Sequence, residues 1–169
     1  SSGERTVDCC YEIACNQAGF DNVHKINEVP FSKAVKRTFE IGLEKNKEWT
    51  LAIDADIILA ENAIKNMIES ASKIGDKLYI YQGYVIDQIF GTAREGGPHL
   101  YKTAHLSDAI DALKRTENTM RPESETYKIL ANEKSAIKYV DNVIYGIHDF
   151  EQYLEDYYRK AFFHAKKHD

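Results

Sequence analysis

No stretch of this chain is apolar for long enough to span a bilayer, and no internal repeat or low-complexity linker interrupts it. Those absences make one globular domain over residues 1–169 the expectation, with a 43% hydrophobic content to supply a sizeable core. Basic residues are in the minority. The 22 Lys and Arg against 27 Asp and Glu leave a formal net charge of -5, which argues against a general nucleic-acid binder with its basic surface. An anionic ligand must then be held by local groups. Cysteine is scarce as well. Cys9, Cys10 and Cys15 are odd in number, crowd into one predicted helix without zinc-site spacing, and accompany no signal peptide. The pattern predicts a reduced, cytoplasmic protein whose thiols pack as small hydrophobes. The opening Ser1-Ser2-Gly3 fits an expression scar or a natural loop.

What is present is an alternation of helical and extended patterns. A helix is predicted over Arg5–Ala18, with Val7, Cys10, Tyr11 and Ala14 on one stripe and Gly19 as its stop, then a short strand at Val23–Val29. Pro30 opens a helix to about Lys45 whose inner side carries Phe31, Ala34, Val35, Thr38, Phe39 and Gly42. Glu48–Ile58 reads as the central strand, and Glu61–Ile74 as a helix with a core face. Lys77–Phe90 reads as extended with a bend at Gly83, followed by a loop holding Gly91, Gly96, Gly97 and Pro98. Helices about Ser107–Lys114 and Glu123–Asn132, a last strand at Tyr139–Ile147 and a long amphipathic helix at Phe150–Lys167 complete an α/β sheet pattern. In the last helix Phe150, Tyr153, Leu154, Tyr157, Tyr158, Ala161, Phe162 and Ala165 form a broad side expected to pack on the core. A dimer seam is the alternative. Arg159, Lys160, Lys166 and Lys167 make its end basic, which the helix dipole favours by itself and which would also suit an acidic membrane surface.

The chemistry concentrates in Asp54-Ala55-Asp56, which closes the apolar run Trp49–Ile53. Side chains two apart on a strand point the same way, so Asp54 and Asp56 can converge on one hard cation or on a ribose-diphosphate, with Ala55 turned aside. Magnesium or manganese suits such an oxygen site. The competing reading is a pair of turn or helix-capping aspartates. Ligands of α/β sheets collect outside the carboxyl ends of the strands, where this pair is expected.

Several motifs, in order, resemble the GT-A nucleotide-sugar glycosyltransferases, especially the inverting family-two group. They are Pro30–Gly42 ahead of Trp49–Asp56, then Gly96-Gly97-Pro98-His99-Leu100-Tyr101, Arg121-Pro122-Glu123-Ser124-Glu125, and Ile144-Tyr145-Gly146-Ile147-His148-Asp149. The resemblance runs from about Val23 to His148. It implies a GT-A (Rossmann-like) mixed sheet flanked by helices and a Mg²⁺- or Mn²⁺-dependent transfer of a sugar from a nucleoside diphosphate to an acceptor, which is a glycan, a lipid or a small molecule. In the matching positions Asp54 meets the ribose or a metal-bound water, Asp56 binds the metal, and His148 completes the metal or diphosphate shell.

The reaction asks for these residue types, because a departing diphosphate gains negative charge and the acceptor hydroxyl must lose a proton. Glu123 or Glu125 is the candidate base, an acidic first helical turn being the alternative. Arg37, with Lys33 and Lys36 beside it, is the candidate for a donor phosphate, and Gly96 and Gly97 would let backbone approach the donor. His99 and Tyr101 are candidates for an acceptor pocket, and Asp149 for the cap of the final helix. Two departures stand out. The family's opening strand is missing before the first predicted helix, as in an N-terminally truncated domain, and the family's Glu-Asp pair is absent. Two other classes stay open: a haloacid-dehalogenase-like phosphotransferase with Asp54 as nucleophile, and a noncatalytic nucleotide-sugar or partner-binding module.

Overall fold

The computed structural model describes residues 4–116 and 118–166, with the side chains of 163, 164 and 166 excepted. Ser1-Ser2-Gly3 and Lys167 therefore lie outside the described residues. Helix α1 (Val7–Ala18) buries Cys10, Ala14 and Cys15, and Gly19 ends it at a φ of 84°. Helix α2 (Phe31–Lys45) follows Pro30 and buries Ser32, Val35, Phe39 and Gly42, the three-and-four spacing that the sequence carries. Between them Val23–Val29 joins no strand of the sheet; the predicted strand there is instead an irregular segment along a cleft.

The largest correction concerns Glu48–Ile58. It is two short strands, β1 (Trp49–Ala52) and β2 (Ile57–Leu59), and they lie at opposite edges of the sheet. Helix α3 (Ala63–Ala71) comes next, then strand β3 (Leu78–Asp87), a tight turn, and β4 (Thr92–Lys102). The glycines expected in a loop after β3 thus split: Gly91 makes the turn with a φ of 65°, while Gly96, Gly97 and Pro98 belong to β4. Helices α4 (Leu106–Leu113) and α5 (Pro122–Lys134), strand β5 (Ile137–His148) and helix α6 (Leu154–Lys166) complete the chain.

The five strands form one mixed sheet in the order β1-β4-β3-β5-β2, in which only β3 and β5 are parallel. Two buried apolar clusters cover its faces. One gathers Val35 and Phe39 of α2, Leu106 and Leu113 of α4 and Leu130 of α5 around Tyr79 and Tyr101. The other joins α3, through Ile64, Met67 and Ala71, to Ile57, Leu78, Tyr81, Val85 and Tyr145, with Ile13 and Ala18 of α1 at its margin. Leu100 and Tyr101 of β4 enter different clusters, as neighbouring residues on a strand must. The edge-to-face pair of Phe39 and Tyr101, 5.1 Å between ring centres, adds about 0.5–1.5 kcal/mol to the area they bury. Gly83 is forced by β5: a Cβ there would stand 2.5 Å from the Val143 carbonyl oxygen and 2.6 Å from the Tyr145 ring.

Helix α6 departs from its expected role. None of its described side chains belongs to either apolar cluster, and Tyr153, Leu154, Tyr158 and Phe162 are all more than half exposed. Its partly buried residues are the ionic ones, Asp156, Arg159 and Lys160. No described helix is long and apolar enough to cross a membrane.

Candidate functional site

Three strand ends build the site. In the sheet register His148, the last residue of β5, stands beside Ile57 at the start of β2 and beside Asp87 at the end of β3. Asp56 precedes Ile57 and Asp149 follows His148, so two carboxylates remote in sequence become neighbours, joined by a backbone hydrogen bond from Asp149 N–H to the Asp56 carbonyl (3.0 Å). Asp149 takes a left-handed backbone with φ 59°, an uncommon conformation for a residue with a side chain. The expected helix cap is thus a site residue, and α6 begins five positions later, at Leu154.

Helix α1 fixes the Asp54–Asp56 turn. The Ala55 carbonyl accepts the Thr6 hydroxyl (3.0 Å) and the Cys10 thiol (3.1 Å), and the Ile57 N–H closes the turn onto the Asp54 carbonyl (3.1 Å). Cys10 therefore does more than fill space, and Cys9, expected to pack as a small hydrophobe, is instead exposed. Burial pushes the Cys10 thiol up to about 11, so it stays protonated and donates to this turn.

Asp56, His148 and Asp149 each present a ligand atom within 4.8 Å of the others. Carboxylate, imidazole and carboxylate form a donor set suited to Mg²⁺ or Mn²⁺. Asp56 is buried, and its Oδ1 has no hydrogen-bond partner among the described residues, an orphaned acceptor of the kind a cation would satisfy. His148 Nδ1 lies 2.9 Å from Asp149 and 3.2 Å from Asp87, and its Nε2 lies 3.5 Å from Asp56. Burial alone would lower its pKa; the hydrogen bond to Asp149 and the charges of Asp56 and Asp149 outweigh that and raise it. Desolvation would raise Asp149, yet His148 and Lys160 hold it below the ordinary carboxylate range. Lys160, reaching in from α6, donates to Asp56 (2.9 Å) and to Asp149, with Glu4 at 3.4 Å.

Asp87 supports this group from behind. Its Oδ2 accepts Arg94 Nε at 2.5 Å, and its Oδ1 accepts the N–H groups of Ile89 and Phe90. Arg94 Nη2 reaches 3.2 Å from His148 Nδ1.

Glu4, Asp56, Asp87, Arg94, His148, Asp149 and Lys160 line one cleft of about 2240 Å³ that runs beneath α6 and between α1, α2 and β1. Asp54 opens into it. The protein around it, then Asp56 and Glu123, raise the Asp54 carboxyl above its usual range. Gly97 on β4 flanks Asp54, a Cβ there falling 3.5 Å from Oδ2. Glu123, in the first turn of α5, lines the same cleft, accepts the Tyr101 hydroxyl at 2.7 Å and stands 3.8 Å from His99.

The structure thus brings Asp54, Asp56, Gly97, His99, Glu123, His148 and Asp149 to one cleft and leaves Glu125, Arg37 and Gly96 outside it. Asp54 is not part of the three-residue ligand group. Glu125 faces outward on α5 and pairs with Lys128 at 2.7 Å. Arg37 is paired with Glu44 at 2.8 Å on the exposed side of α2, and Gly96 lies in β4 beside Arg94 without lining the cleft. Sequence reasoning missed Asp87, Glu4 and the inward role of Lys160. Asp87 carried a signal, since it ends an apolar strand before a turn, as Asp54 does. No protein-family model, no curated protein and no solved structure matches the chain.

Proposed function

We propose that the chain is a GT-A-type glycosyltransferase domain that moves a sugar from a nucleoside-diphosphate donor to an acceptor hydroxyl. The observation that carries the reading is the convergence of Asp56, His148 and Asp149 at the wall of a cleft that also holds Asp54 and Glu123. A metal ion held by Asp56, His148 and Asp149 would supply positive charge for the diphosphate leaving group. The remaining steps fall to the chain's own residues. Asp54, accessible within the cleft, accepts hydrogen bonds from the donor's ribose hydroxyls. Asp87, at Nδ1, and Arg94, whose Nη2 lies 3.2 and 3.4 Å from the two ring nitrogens, hold the His148 ring in place, as supporting partners of a ligand imidazole do. Glu123 takes the acceptor proton as the acceptor oxygen bonds to the anomeric carbon. The glycosyl–phosphate bond breaks in the same event, and its electron pair leaves with the diphosphate. Tyr101 holds Glu123 in position through its hydroxyl.

A thermal-shift series with nucleoside diphosphates, with and without Mn²⁺, tests the donor half of the proposal. A ligand that binds only the folded state raises the melting temperature, and the rise should need both diphosphate and Mn²⁺ and should vanish in Asp56→Ala. Equal stabilisation of both proteins without a metal effect would refute the assignment of Asp56.

A further inference from the structure

The acidic group already holds a cation of its own. Lys160 Nζ sits against Asp56 Oδ2 at 2.9 Å and against Asp149, and Glu4 Oε2 lies at 3.4 Å. Two of these three carboxylates belong to the group that presents ligand atoms within 4.8 Å of one another. The ammonium therefore lies where a divalent ion would bond. Two positive centres in hydrogen-bonding and coordination range of the same Asp56 and Asp149 oxygens repel strongly at low effective dielectric, so one must leave when the other binds. The group is not saturated by lysine, because the buried Asp56 Oδ1 keeps no hydrogen-bond partner among the described residues.

Lys160 also anchors the helix that bears it. Helix α6 contributes nothing described to either apolar cluster. Ionic, partly exposed pairs add to its attachment near the site: Arg159 to Glu4 at 3.3 Å, and Arg5 to Asp156 at 2.8 Å, with the Arg5 guanidinium 4.1 Å above the ring of Tyr153 just ahead of the helix. Pairs of that kind hold weakly, and thirteen residues of helix are marginal without tertiary support. At the same time Leu154, Tyr158 and Ala161 line the large cleft, so α6 forms part of its wall.

We propose that α6 is a latch over the site, with Lys160 as its bolt, and that a divalent cation and Lys160 are mutually exclusive occupants of the Asp56–Asp149 group. Binding of the ion expels Lys160, frees α6 and widens the cleft for the remaining ligands. The inference rests on the metal reading above, and adds that ion binding is coupled to the release of a named helix.

The test uses the full chain and Mn²⁺ alone. Mn²⁺ affinity is measured by titration calorimetry on the wild type and on Lys160→Met, which keeps the length of the side chain and removes its charge. Amide hydrogen exchange over Leu154–Lys166 is followed with and without Mn²⁺. A site held mostly in its closed form loses affinity in proportion to that closure, so Lys160→Met should bind Mn²⁺ about tenfold tighter or more. In the wild type Mn²⁺ should speed exchange across α6. In Lys160→Met that exchange should be fast from the start and indifferent to the ion. Mn²⁺ binding to the wild type with α6 exchange unchanged or slowed overturns the latch and leaves the metal reading standing, as does equal affinity in the two proteins. Failure of Mn²⁺ to bind either protein removes both.

Discussion

Asp87→Asn isolates the support behind the site. The carboxylate is 1% exposed, yet it takes four approaches: the N–H groups of Ile89 and Phe90 at 3.0 and 3.1 Å, Arg94 Nε at 2.5 Å and His148 Nδ1 at 3.2 Å. An amide can still accept from the two backbone groups, but its NH₂ end would face the Arg94 donor. Removing one partner of a buried ion pair costs about 3–5 kcal/mol. Arg94 keeps 39% of its side chain exposed and can turn partly to water, which brings the expected loss to about 2–3 kcal/mol by the magnitude of charged hydrogen bonds. For a chain of this length that is a fall in melting temperature of roughly 5–10 °C. The dependence on pH has a definite sign. Desolvation would raise the Asp87 pKa, but Arg94 and the Phe90 N–H outweigh it and lower it from 3.8. A depressed carboxylate stabilises the fold above its unfolded pKa, and that contribution is lost as pH falls through the lower folded value. Urea denaturation of wild type and Asp87→Asn should therefore show the full gap at neutral pH and a closing gap below about pH 4. Glu44→Gln is the control: it breaks the exposed pair with Arg37 and should leave the urea midpoint essentially unchanged. A loss below about 1 kcal/mol in Asp87→Asn, or a gap unchanged in strong acid, would refute this account of the buried carboxylate.

The two acidic residues of α5 should separate kinetically. Glu123→Gln should lower sugar transfer by roughly 10²–10⁴-fold, the usual contribution of a positioned base, whereas Glu125→Gln, which removes only a surface partner of Lys128, should leave transfer within about twofold; equal losses in the two variants would refute the assignment of the base. The thiols give a second check that needs no substrate. Cys9 is exposed while Cys10 and Cys15 are buried and the Cys10 thiol is held up to about 11. A disulfide reagent at neutral pH should titrate one thiol rapidly and the other two only on unfolding, and rapid reaction of all three would contradict the packing of α1 against the Asp54–Asp56 turn.

Local pattern carried the helices because their signals are local. The spacing of Val35, Phe39 and Gly42 marked the inner face of α2, Pro122 marked the start of α5, and Ile64, Met67 and Ala71 marked the buried stripe of α3. The apolar run that ends in Asp54-Ala55-Asp56 likewise pointed to a cluster of carboxylates at the strand ends. Pattern failed where partners decide. Glu48–Ile58 looks like one strand, but hydrogen bonding sends Trp49–Ala52 to β4 and Ile57–Leu59 to β5, at opposite edges. Val23–Val29 has strand-like residues and joins no ladder, and Gly96–Pro98 looks like a loop yet lies in a strand.

By itself, then, the sequence determined an alternating α/β chain, the faces of its main helices, and the acids around which a site would form, since periodicity and local turn chemistry act within a few residues. The tertiary structure alone decided which of those acids meet. The β2–β5 and β3–β5 registers set Asp56, Asp87, His148 and Asp149 side by side, and α5 turned Glu123 inward and Glu125 outward. It also decided the placement of α6, whose aromatic side reads as core but whose Lys160 goes to the acidic group instead. A buried carboxylate needs a counter-charge wherever the chain can deliver one, and sequence separation does not enter that energy.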